Sequence, residues 1–112
     1  MAWATVVNAI FPGIAVSFAI RYYHVPEPIY VLNYWIIYTA ITVGSAFFMW
    51  WVPYQFGSSS QRVSEYARIY QGTRHVLPVR KGDAGPNLTH IAFHVLFLST
   101  LVLAVALRFR RA

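Results

Sequence analysis

Three stretches of the chain are almost entirely apolar, and the polar residues between them fall into two segments of very unequal length. Residues 2–20, 29–52 and 89–107 carry no charged side chain and run for 19, 24 and 19 residues. A bilayer core of about 30 Å is crossed by roughly 20 residues of helix, so each stretch has the length and character of a transmembrane span. The extra residues of the second leave room for tilt without fixing an angle. The pattern predicts an all-α integral membrane protein with three transmembrane helices, forming a single membrane domain over residues 1–112. The first stretch lacks the basic flank of a signal peptide and is read as a retained helix. Pro12, near its centre, removes a backbone donor and crowds the preceding turn. A kink around Phe11 is expected, with a broken helix or re-entrant hairpin as the alternative.

The two polar segments differ in what they predict. Residues 21–28 are too few for anything but a tight turn, and Tyr22, Tyr23 and His24 suit a headgroup layer. Residues 53–88 form a long loop. Within it Val63, Tyr66, Ala67 and Tyr70 recur at helical spacing, while Arg62, Glu65 and Arg68 take the other face. That is the pattern of a short amphipathic helix lying at the interface. Ser58, Ser59, Ser60 and Gln61 have the form of a capping box, and Gly72 is a natural stop. Pro53 is expected to end the second span, behind an aromatic belt of Phe47, Phe48, Trp50, Trp51 and Tyr54 that reads as anchoring.

Composition narrows the class further. Only 11% of the residues are charged and 58% are hydrophobic, against roughly a quarter charged in a soluble domain. The absence of cysteine excludes a disulfide scaffold and any Cys-ligated zinc or iron–sulfur centre. A net charge of +6 invites a nucleic-acid reading. It fails, because the basic residues stand at span boundaries and are split between two faces. Arg21, Arg62, Arg68, Arg108, Arg110 and Arg111 read instead as lipid headgroup contacts, worth about 1 kcal/mol each near an anionic surface. Five basic residues fall on the long-loop side (Arg62, Arg68, Arg74, Arg80, Lys81) and four on the other (Arg21, Arg108, Arg110, Arg111). The four flank their helices more tightly, which points to a cytoplasmic C-terminus.

Chemistry, if the chain has any, must come from polar side chains inside the spans. Asn87, His90 and His94 are spaced i, i+3, i+7 and so share one helix face. At about 1.5 Å per residue, His94 lies about 7 Å inside the boundary, Asn8 about 9 Å and Ser45 about 10 Å. Asn8, Ser45, His90 and His94 are therefore expected in one layer.

The histidine pair admits three readings. As metal ligands, two histidines at i, i+4 reach one ion, with a third ligand from His75, Glu65, Asp83 or another subunit. As haem ligands, they cannot hold both faces of one porphyrin from a single helix, so a second protomer or subunit is needed. In the structural reading, His90 caps the interface and His94 hydrogen-bonds a neighbouring helix. The loop's Tyr66 and Tyr70 offer a headgroup or quinone pocket, against a plain solvated face.

No pair of acidic residues is spaced for general acid–base work, and no nucleophile elbow or nucleotide-binding motif occurs. No catalytic residues are assigned. Ala9, Gly13 and Ser17 in the first span, and Ala40 and Gly44 in the second, are small residues four apart, the stripe that lets helices approach closely. The sequence thus predicts a small non-catalytic membrane protein, embedded in the bilayer as a homo-oligomer or as an accessory subunit beside other membrane subunits. One alternative is a membrane enzyme or redox subunit using His90 and His94 for a metal, haem or quinone. The other is a small channel or transporter assembled across protomers, which the lack of any intramembrane carboxylate disfavours for proton coupling.

Overall fold

A computed structural model describes residues 2–78 and 85–111, and these are helical with no strand among them. The elements are α1 (Ala2–Arg21), α2 (Ile29–Ala46), one π-helical turn (Phe47–Trp51), α3 (Val52–Phe56), α4 (Ser60–Ile69) and α5 (Leu88–Arg110). Among the described residues, three helical stretches are long and apolar enough to cross a membrane: Ala2–Arg21, Ile29–Phe56 and Leu88–Arg110. Only 6% of the most apolar window of each is buried within the chain. Their apolar side chains are therefore covered by one another only in part.

Pro12 lies inside α1, which runs through it without a break, so the hairpin alternative is not adopted. The second stretch departs from expectation in a more instructive way. Its helical path does not stop at Pro53 but continues to Phe56. The π-turn explains how. The Val52 amide donates to the Phe47 carbonyl, a bond one residue longer than the α-helical ladder. Pro53 then falls in the first turn of α3, where a missing N–H is tolerated. The true stop is Gly57, whose φ of 90° suits a residue without a Cβ and whose amide closes on the Pro53 carbonyl at 2.7 Å. Proline still leaves a mark. It has no hydrogen to give the Met49 carbonyl one turn back, and Arg62 Nη2 of α4 donates to that oxygen instead.

α4 begins one residue later than a box opening at Ser58 requires. Ser59 is the N-cap, and its Oγ accepts from the Arg62 amide at 3.3 Å. Gln61 turns to Glu65 along the helix, Nε2 to Oε1 at 3.1 Å. Gly72, at φ +80°, follows the last turn.

Contacts divide the chain into two compact units. The first joins Met1–Thr39 with Thr100–Ala112. Val31 and Leu32 are fully buried in it, and Ala15 and Ala104 are buried as well. Tyr34 Oη donates to the Phe11 carbonyl at 2.6 Å, next to Pro12, and its ring meets Phe18 edge-on at 5.2 Å. Arg108 Nε donates to Asn33 Oδ1 at 3.2 Å, and Arg111 donates to the Glu27 carbonyl. The second unit, Ala40–Ser99, holds the π-turn, α3, α4 and the start of α5. Tyr54 is buried there and donates to the Pro78 carbonyl at 2.9 Å, while the Leu88 amide donates to the Arg74 carbonyl at 2.9 Å. These two bonds tie the loop to the elements on either side of it.

Candidate functional site

The second unit gathers the aromatic and imidazole side chains. Asn87 precedes α5, 2% exposed, and its Oδ1 accepts from the His90 amide at 2.9 Å. This is an N-cap bond, satisfying one of the amides that the first helical turn leaves open. The same oxygen lies 2.6 Å from His90 Nδ1. A carbonyl oxygen only accepts, so Nδ1 carries the hydrogen and Nε2 keeps its lone pair.

His94, one turn further, is arranged the opposite way. Trp51 Nε1 donates to His94 Nδ1 at 3.1 Å. An indole N–H has no acceptor capacity, so Nδ1 supplies the lone pair and the hydrogen of the neutral ring sits on Nε2. Adjacent tryptophans of the π-turn thus meet successive turns of α5. Trp50 covers His90 with ring centroids 4.1 Å apart, and Trp51 stands 6.1 Å from His94.

α4 closes over Trp50. Tyr66 and Tyr70 lie 5.7 and 5.8 Å from it, and Tyr70 meets His90 edge-on at 5.1 Å. The Arg62 guanidinium sits 5.8 Å from the Trp50 ring centroid, a cation–π contact that adds to its bond with Met49. At the outer edge Tyr66 Oη lies 3.4 Å from His75 Nδ1. Tyr66 and Tyr70 therefore pack on Trp50 rather than forming a solvated face.

On the flank beside His94 there is a cavity of about 470 Å³. Val43, Ile91, Val95 and Leu98 line it together with Phe47 and Trp51. His94 and Gln55 also line it.

This chemistry tests the metal and haem readings. Metal-bound histidine donates through its other ring nitrogen. His94 accepts there, so coordination through Nε2 would require stripping its only ring hydrogen, and His94 does not fit a metal or haem iron in this arrangement. His90 has the tautomer a metal prefers. Among the described residues, however, no group of three or more His, Cys, Asp or Glu side chains could hold an ion. Asp83, Arg80 and Lys81 lie outside the described residues.

The other expected residues are placed as follows. Ser45 is exposed on α2 and Asn8 is exposed on α1 in the first unit. Ala9, Gly13, Ser17 and Ala40 are exposed, and a Cβ built on Gly13 or Gly44 would meet nothing within 4 Å. Arg21, Arg68 and Arg110 are exposed, whereas Arg62, Arg108 and Arg111 each donate to the oxygens named above.

Trp50 and Trp51, expected only as membrane anchors, are the members of the cluster whose contact with the histidines the sequence did not suggest. A signal was present: the Trp pair and Pro53 mark the same end of the second span as His90 marks on the third. Depth matching, applied to Asn8 and Ser45, would have found them. Comparison with protein-family models, with curated proteins and with solved structures yields no match.

Proposed function

We propose that this chain is a non-catalytic, multi-pass membrane protein that works as a homo-oligomer or as an accessory subunit of a larger membrane assembly. One observation carries the reading. Among the described residues nothing packs closely on the two glycines of the small-residue stripes, since a Cβ on Gly13 or Gly44 would meet nothing within 4 Å. Lipid needs no such stripe, because acyl chains pack as readily on leucine; a second helix backbone does need it. The engagement of both Nδ1 atoms, His90 by Asn87 and His94 by Trp51, supports the non-catalytic part.

In this reading α4 lies at the membrane surface and the C-terminus is cytoplasmic, since Arg21, Arg108, Arg110 and Arg111 stand directly at span ends. The mass of the protein purified in mild detergent tests the assembly. A particle of several chains, or one carrying other membrane subunits, is expected; a strictly monomeric, partner-free protein overturns the proposal. Paired C-terminal reporter fusions, one active on each side of the membrane, test the orientation.

A further inference from the structure

The hydrogen-bond inventory of the cavity beside His94 is incomplete. The Trp51 N–H is already committed to His94 Nδ1. The hydrogen that this bond places on His94 Nε2 has no acceptor among the described residues. A ring N–H without an acceptor, on a residue that lines an apolar cavity, is unfavourable until something accepts from it. The space beside it, about 470 Å³, falls within the roughly 300–1,000 Å³ of small-molecule sites.

We propose that this cavity binds an oxidised quinone-type molecule, an uncharged flat ring whose carbonyl oxygen accepts from His94 Nε2. Three features choose this class. The donor calls for an acceptor such as a carbonyl. Phe47 and Trp51 supply flat aromatic faces against which a ring can lie. None of the lining residues is charged, so neither a fatty-acid carboxylate nor a phospholipid phosphate finds a counter-ion there. Val43, Ile91, Val95 and Leu98 complete an apolar wall suited to a molecule dissolved in a bilayer. The site goes beyond the assembly reading and shares with it only the membrane setting.

The test is a titration of the full chain in detergent with decylubiquinone, followed by quenching of tryptophan fluorescence. Saturable quenching is expected. His94→Leu should weaken it about tenfold, the effect of one lost hydrogen bond. His94→Gln, whose amide nitrogen reaches toward the position of Nε2, should keep most of the affinity. Leu98→Trp fills the cavity from its wall without touching the Trp51–His94 bond and should abolish saturation. Quenching that rises linearly with quinone, as simple partition into the micelle does, overturns the proposal. So does saturable binding that survives both His94→Leu and Leu98→Trp. Particle mass measured on the same sample reports on assembly separately, so the two readings fail independently.

Discussion

Trp51 Nε1 donates to His94 Nδ1, and because the donor cannot accept, this single contact sets the tautomer of a histidine inside the chain's third long helix. His90, four residues earlier, is set the other way by Asn87. Two imidazoles on one helix face therefore present opposite nitrogens as their hydrogen-bearing atoms.

That difference is directly observable. In nitrogen-15 spectra of imidazole-labelled protein, His90 should report its hydrogen on Nδ1 and His94 on Nε2. Asn87→Ala should release His90 toward the Nε2 form common in free histidine and leave His94 unchanged. Finding both histidines in the same tautomer in the unmodified chain would contradict the geometry.

Trp51→Phe keeps the aromatic surface and deletes the donor. A loss of about 1 kcal/mol in unfolding free energy is expected, the usual size of a single hydrogen bond, with values near 0.6 kcal/mol typical between membrane helices. A double-mutant cycle with His94→Leu should show coupling of similar size. Additive effects would mean that the bond contributes nothing to stability.

Ser59→Ala removes the N-cap of α4 and should cost about 1 kcal/mol, felt locally. Hydrogen exchange at the amides of Arg62 and Val63 should accelerate about fivefold, with α5 unaffected. An unchanged rate would show that the packing of Tyr66 and Tyr70 on Trp50 holds the helix without its cap.

Gly13→Ile places a large side chain where the chain itself offers no obstruction. Thermal unfolding in detergent should shift by less than about 0.5 kcal/mol, the scale of a surface change. Particle mass should fall toward the monomer. A variant that assembles like the parent would remove the small-residue stripe of α1 from the interface.

Much of this architecture was legible from the chain alone, for a physical reason. A stretch of about 20 apolar residues gives a signal that no single residue can spoil, so α1 and α5 begin and end within three residues of the expected bounds. The shared face of Asn87, His90 and His94 was legible too, because helical spacing fixes it. Pro53 misled because a proline acts as a stop only if the ladder before it is α-helical. The π-turn at Phe47–Trp51 moves it into a first turn, and no local propensity of two phenylalanines, a methionine and two tryptophans announces such a turn. Trp50 and Trp51 carried a second ambiguity. An aromatic pair at the end of a span reads as an interfacial anchor until a neighbouring helix is seen to meet it.

The π-turn has a consequence for which length changes the chain tolerates. Its five residues hold one more than the α-helical ladder needs. Losing a single residue between Phe47 and Trp51 would close the ladder to the ordinary α-helix, and because the turn holds just that surplus residue, the helix beyond would keep its phase. Pro53 would then fall inside a continuous helix that it can no longer begin. The composition of this segment would be nearly untouched by such a deletion. Here the residue count, more than residue identity, decides whether Pro53 opens a helix or interrupts one.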